Sequence, residues 1–258
     1  MIRRLFLDRP QAPAPLAAKV VTFAVLLLLL SLVCTGILWG TTRQWLAVWG
    51  YREAFWQGWL LTVGLSSAAL MGSSLIGVIA ALARRSEILV IRYISTIYVN
   101  FVRGTPFLVL ILLLFYGVPQ ITQHASRLFV GVLALSLFAG AYIAEIVRAG
   151  IESVGQSQRE SARAIGLTRT QTYRYVIFPQ AIRHILPPLT GQFASLIKDS
   201  SLLFIIGLPE VTYTAQQINS ATYSTLESFL PLALAYLALT LPIAVLSNHL
   251  ERRFRYET

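Results

Sequence analysis

The sequence predicts an all-α integral membrane protein of about six transmembrane helices, and three observations carry that prediction. Only 12% of the 258 residues are Asp, Glu, Lys or Arg, about half the share typical of a soluble globular domain. Five stretches hold no charge at all: Val20–Thr42, Ala54–Ala83, Gly104–Ser126, Leu128–Ala144 and Ser228–Leu250. Their lengths lie near the roughly 20 apolar residues that a helix needs to cross the hydrocarbon layer. They are also continuous apolar runs, whereas a membrane β-barrel shows short alternating segments.

The N-terminal tail, residues 1–19, carries Arg3, Arg4, Arg9 and Lys19. The run after it is long and no Ala-x-Ala site follows, so it reads as an uncleaved first span rather than a signal peptide. Residues 1–50 form this tail and helix, and residues 51–258 form the main domain. Trp45, Trp49 and Tyr51 suit a membrane–water interface. The second span, about 57–82, reads GLSSAALMGSSLIG through its middle, and small residues let helix backbones approach closely in lipid. The third has only Phe107–Val118 as a strictly apolar core, so it must borrow residues upstream, through or around Pro106. The fourth covers about 128–147. The fifth, about 185–208, is expected to be interrupted at Pro187, Pro188, Gly191, Lys198 and Asp199. The sixth covers about 229–249.

An even number of spans puts both termini on one side. Of the 21 Arg and Lys residues, 17 fall in the tails, the 83–103 connection and the 148–183 loop, against three on the other side. Positive charge collects on the cytoplasmic face, so the termini and central loop are expected there. This bias also accounts for the net charge of +10 without nucleic acid.

The chain lacks chemistry of its own. A phosphate-cradling loop needs Gly-x-x-x-x-Gly-Lys-[Ser/Thr], but the only lysines are Lys19 and Lys198, and neither follows a glycine. His124, His184 and His249 are far apart in sequence, and Cys34 is alone. No metal, cofactor or catalytic set is expected, and each histidine reads as an interfacial or loop residue.

The most polar part of the chain runs from Glu145 to Pro188. Glu152–Ile165 is compatible with a helix, and Gly166 sits where a glycine stops one. Thr168-x-x-Gln171 is a capping box. A second helix is expected from about Arg169 to Phe178, stopping at Pro179. Ala162, Ile165, Tyr173, Val176 and Ile177 would pack the pair together. Composition alone also fits an ordinary solvated basic loop.

The residue pattern resembles the "EAA" loop of ABC importer permeases: Glu160-Ser161-Ala162, three residues, Gly166, nine residues, then Val176-Ile177-Phe178-Pro179. Ser161 stands where the family usually has Ala, and Val176 and Phe178 replace Ile and Leu. Phe101–Pro106 with Tyr116–Pro119, Ala141–Ile151 and Leu196–Leu202 are similar to further blocks of the polar amino acid branch of that family. The resemblance covers about residues 56–253. It implies a type I importer fold with a five-helix permease core, so the span at 20–41 is an additional helix. It also implies a bacterial cytoplasmic (inner) membrane location and work in pairs, with a second copy or a related permease. An ATPase dimer would hold ATP and Mg on the partner chains, and an extracytoplasmic solute-binding protein would deliver an amino acid.

On that resemblance the loop, about 148–185, is the ATPase-coupling element. Glu160, Ser161, Ala162, Gly166, Leu167, Thr168 and Pro179 are its candidate residues. Ionisable groups within spans default to function, so Glu145, Lys198 and Asp199, with Tyr142 and Thr105, are candidates for the substrate path. Glu145 pairing with Arg148, and a packing or gating role for Lys198 and Asp199, stand as alternatives. An ABC permease for another small solute and a self-contained secondary transporter or channel are the competing functions.

Overall fold

The structure, a computed structural model, describes residues 45–122 and 126–254, with positions 21, 24, 25, 27, 28, 31 and 32. Of the expected first span, 20–41, only these seven positions are described, all of them helical, and the rest lies outside the described residues. The chain divides into two compact units, Met1–Gly50 and Tyr51–Thr258. In the first, Trp45–Trp49 forms a short helix, α1. The second contains α2 (Arg52–Ala83), α3 (Leu89–Gly104), α4 (Phe107–Thr122), α5 (Arg127–Glu152), α6 (Gln156–Ala164), α7 (Arg169–Thr172), α8 (Phe178–Asp199), α9 (Val211–Thr222) and α10 (Thr225–Phe254). No strand occurs among the described residues.

Four helical runs are long and apolar enough to cross a membrane: Arg52–Ala83, Arg127–Glu152, Arg169–Ile206 and Thr225–Leu250. The pair α3 and α4 makes a fifth if taken as one broken span. The centre of the fold is the packing of α2 on α5. In lipid, apolar burial gives little drive for helix association, so close packing of small residues has to supply it. A Cβ on Gly77 would stand 2.5 Å from Ile143 Cγ2 and 3.0 Å from the Gly140 carbonyl oxygen. Ala69, Ala80 and Ala81 of α2 are buried with Ala139, Ala141 and Ala144 of α5. Ile111 of α4, Leu196 of α8 and Leu203 share one core with Ala69, Ala139 and Ala141, and Ala80, Ala81 and Ala144 form a second cluster with Val99 of α3.

The structure changes three sequence-based expectations and sharpens a fourth. Taken as one span, the third does borrow residues upstream of Pro106, and it goes around the proline: α3 and α4 are bent by 115° there. Thr105, the residue before proline, is extended (φ −109°, ψ 133°), as the proline ring requires. Its hydroxyl donates to the Phe101 carbonyl at 2.8 Å. As a result α3 packs across α2 and α5, where Ser95 donates to Ala80 O at 2.8 Å and Tyr98 to Leu137 O at 2.6 Å.

Pro179 does not stop the second loop helix. A π-helical turn, Tyr173–Ile177, precedes it, and Phe178 N–H bonds back to Tyr173 O. A π turn shifts the backbone pairing by one residue. That shift absorbs the missing N–H and the ring clash that a proline brings, and Pro179 falls in the first turn of α8.

Pro187, Pro188 and Gly191 likewise lie inside α8 without breaking it. The interruption comes later, where Ser200–Ile206 tightens to a 3₁₀ helix and ends at Gly207 with φ +68°. Ile165, finally, does not pack inward; it is 76% exposed.

Helix α9 has no counterpart among the elements expected from the sequence. It is capped by Glu210, whose carboxylate accepts from Thr212 N at 2.9 Å and Tyr213 N at 2.7 Å, with the Tyr236 hydroxyl at 3.0 Å. Burial pushes this carboxyl above its ordinary value, and its full set of hydrogen bonds makes it a structural cap.

Candidate functional site

Two features carry the chemistry. The first is the turn between α6 and α7. Gly166 adopts φ +81°, a conformation that costs a residue with a Cβ. Leu167 N–H donates to Ala162 O at 3.0 Å and Gly166 N–H to Arg163 O at 2.9 Å. These two bonds are the Schellman closure of a helix C-terminus. Immediately after it, Thr168 Oγ1 accepts from Gln171 N and the Gln171 side chain accepts from Thr168 N at 2.9 Å. Both helix ends are therefore satisfied from within, and the reversal is stiff without outside support.

The same turn is anchored on three sides. Arg159 donates to Ile151 O at 2.9 Å, tying α6 back to α5. Val154, Ile177 and Ala181 form a small buried cluster with Ile151, Tyr173 and Ile185 against it. Arg85 donates to the Tyr173 hydroxyl at 2.8 Å, and Arg169 donates to Glu87 at 2.5 Å. The Arg169 guanidinium holds the Glu87 carboxyl below its ordinary value. The turn is thus linked to the α2–α3 connection, to which it has no covalent attachment nearby.

Of the expected coupling residues, Glu160, Ser161, Gly166, Thr168 and Pro179 are exposed and Leu167 is half-buried. Ala162 is only 2% exposed, so it fixes the helix to its support and does not face a partner. The exposed apolar tip is Ile165, for which face-to-face packing of α6 and α7 predicts an inward position. With the Schellman closure and capping box, the chain instead reverses between them.

The second feature is an ion cluster around Glu145 on α5. Its Oε2 accepts from Arg84 at 2.6 Å and lies 3.6 Å from Arg103. Its Oε1 pairs with Arg148, which also pairs with Glu152. The expected Arg148 partner is present, but two arginines, from α3 and the end of α2, join it. The bend at Thr105–Pro106 makes this possible, because α3 crossing the bundle brings Arg103 to α5. Arg103 also lies over the Tyr142 ring, 5.6 Å from its centroid.

Beside the cluster is a cavity of about 360 Å³ lined by Glu145, Ile146, Ala149, Gly150, Ser153, His184 and Pro188. Its walls are α5 and α8. Glu145 is the one residue of the expected substrate path on this wall; Tyr142 reaches the cluster through Arg103. Thr105 contributes through the bend, with its hydroxyl committed to Phe101. Lys198, exposed, and Asp199, half-buried, lie 14 and 15 residues beyond His184 on α8, about 21 Å along a helix at 1.5 Å per residue. They do not join this site.

His184 reads as a loop residue in the sequence but stands on the cavity wall, because α8 begins before it, at Phe178. A signal for this exists: it lies four residues before Pro188, on the face that returns every 3.6 residues. Among the described residues no group of three or more His, Cys, Asp or Glu is placed to hold a metal.

Comparison with known proteins follows the same geometry. Residues 73–256 match the family described as "Binding-protein-dependent transport system inner membrane component". The probable glutamine ABC transporter permease protein GlnM of Bacillus subtilis is 35% identical over 199 residues, 77% of this chain and 92% of that protein. The glutamine transport system permease protein GlnP of Escherichia coli is 33% identical over 214 residues, 82% of this chain and 98% of that protein. A crystal structure of an amino acid ABC transporter with histidines superposes with a TM-score of 0.76 at 37% identity, covering 81% of this chain and 98% of the other. The MetNI methionine ABC transporter in an inward-facing conformation shares the fold, with a TM-score of 0.62 at 19% identity over 81% of this chain and 97% of the other. On its helical architecture, its family match and its near full-length relatives, the chain belongs to the inner membrane components of binding-protein-dependent transport systems and is a multi-pass permease subunit.

Proposed function

We propose that the chain is the permease of an ATP-binding cassette importer for polar amino acids. The observation that carries this reading is the self-capped turn at Gly166, with the apolar Ile165 exposed at its tip on a polar loop. A stiff protrusion with an apolar point is built to sit in a cleft and be moved. The chain supplies no phosphate-binding loop, so the work comes from a separate ATPase dimer, which holds ATP and Mg. Glu160, Ser161, Ile165, Gly166, Leu167 and Thr168 form the docking turn. Ala162 and Pro179 set its angle.

The amino acid reading is supported by glutamine and other amino acid permeases among the relatives and by the cavity at Glu145, which offers a carboxylate, a hydroxyl and an imidazole. A permease pair, of two copies or two related chains, and an extracytoplasmic binding protein complete the transporter. Residues 51–258 act as the permease domain, and the termini and the Gly166 turn face the cytoplasm, the side the arginine bias indicates. The test is uptake by proteoliposomes containing the permease, its ATPase and its binding protein. Accumulation of a radiolabelled polar amino acid should require both ATP at the ATPase and the binding protein. Uptake driven by an ion gradient with neither present would overturn the reading.

A further inference from the structure

Glu145 is over-supplied with counter-ions, and the supply is not uniform. Arg148 is on the same helix, three residues on, and moves with it. Arg84 comes from the end of α2 and is 16% exposed at its side chain. Its neighbour Arg85 is bonded to Tyr173 in the segment after the Gly166 turn. Arg103 also reaches Oε2, at 3.6 Å, but Arg84 holds it at 2.6 Å while Arg148 sits on Oε1. Arg84 is therefore the nearest counter-ion from another helix, and the one whose neighbour is tied to the segment after the turn.

A half-buried carboxylate that loses its nearest guanidinium loses electrostatic stabilisation unless another cation takes that place. An amino acid zwitterion carries an ammonium and a carboxylate a few ångströms apart. It can enter an existing ion pair and leave the charge of the site unchanged. We propose that the substrate amino acid inserts between Arg84 and Glu145. Its ammonium replaces the guanidinium at Glu145 Oε2, and its carboxylate takes the Arg84 guanidinium that is released. Arg148 keeps Glu145 Oε1 throughout, and the side chain of the amino acid occupies the cavity between α5 and α8. Arg84 thus occupies at Oε2 the place that the ammonium would take. This assignment rests on reading the cavity at Glu145 as the substrate site.

The experiment is equilibrium binding to the purified permease–ATPase complex in detergent, without the binding protein. The probes are L-glutamine, L-histidine and L-arginine, with their carboxylate-free counterparts 4-aminobutanamide, histamine and agmatine. A hydrogen-bonded charge is worth enough for at least about a tenfold difference in affinity. Wild type should therefore bind whichever amino acid it accepts at least about tenfold more tightly than the counterpart. Arg84→Met should bring that ratio close to one, and Arg84→Lys should restore part of it. A wild-type complex that binds both members of a pair equally overturns the proposal without any variant, and so does Arg84→Met with the wild-type ratio. Glu145→Gln separates the Arg84 assignment from the cavity reading beneath it. Weaker binding of the amino acid and its counterpart alike is expected. Unchanged binding of both, or no binding of any probe to wild type, removes the cavity as the substrate site and the Arg84 assignment with it.

Discussion

Replacing Gly166 tests whether the turn acts through its backbone. Gly166 lies at φ +81°, and an added Cβ would meet no atom within 4 Å. An alanine there suffers no clash within the chain, so its whole cost is that of the left-handed conformation, about 1–2 kcal/mol. Asparagine tolerates that conformation better than alanine despite its size. Proline fixes φ near −65° and has no N–H. It forfeits the bond from residue 166 to Arg163 O directly and, by reorienting the chain, the bond from Leu167 to Ala162 O, each worth about 0.5–1.5 kcal/mol. The proline variant therefore loses about 1–3 kcal/mol of hydrogen bonding in addition to the conformational misfit, while every 1.4 kcal/mol is a tenfold change in population. The assay is amino acid transported per ATP hydrolysed in proteoliposomes. Gly166→Asn should stay near wild type, Gly166→Ala should fall several-fold, and Gly166→Pro should abolish coupling, all with unchanged membrane insertion. Normal coupling by the proline variant would refute the reasoning. The asparagine variant faring worse than the alanine variant would also refute it, since the effect would then follow side-chain bulk at the partner surface and not backbone strain.

Three further outcomes are expected. Tyr173→Phe removes the hydroxyl that Arg85 holds at 2.8 Å and leaves the ring packed. Transport per ATP should drop while the ATPase still responds to docking, and an unchanged ratio would mean that the α2–α3 connection is not driven by the turn. Gly77→Val should lower the thermal midpoint of the purified permease. Its Cβ would stand 2.5 Å from Ile143 Cγ2, overpacking costs about 1–3 kcal/mol, and each kcal/mol shifts a domain of this size by about 2–4 °C; an unshifted midpoint would show that α2 and α5 separate easily. The Arg169–Glu87 pair depresses the Glu87 carboxyl, so its contribution is present above the ordinary carboxylate value and is lost as pH falls through the depressed one. Arg169→Ala should therefore lower the protection of the 83–89 connection at neutral pH, measured by hydrogen exchange, and remove its acid-range step, so that variant and wild type converge at acid pH. Both groups are exposed and screened by salt, so high salt should mimic the substitution.

Residue chemistry read along the chain determined a good deal. The charge-free runs located the long spans, because a backbone in hydrocarbon must satisfy itself as helix and the length needed is fixed. Gly166 and Thr168-x-x-Gln171 announced their turn for a similar reason: a left-handed glycine and a capping box are local devices whose partners lie within a few residues. The small residues of α2 announced close packing. Tertiary structure decided what depends on partners far away in sequence. Prolines at 179, 187 and 188 read as breaks because an isolated helix loses a bond at each; here a π turn and surrounding helices absorb the loss, and the real break falls at Ser200. Ile165 read as core because apolar side chains usually are, whereas the two satisfied helix ends turn it outward. Glu145 could be flagged from its place in a span, but Arg103 joining Arg84 and Arg148 on it depends on the 115° bend at Thr105–Pro106 that lays α3 across the bundle, and His184 faces the same cavity because α8 packs on α5. No local pattern encodes crossings of that kind, because the groups they unite come from four separate segments of the chain.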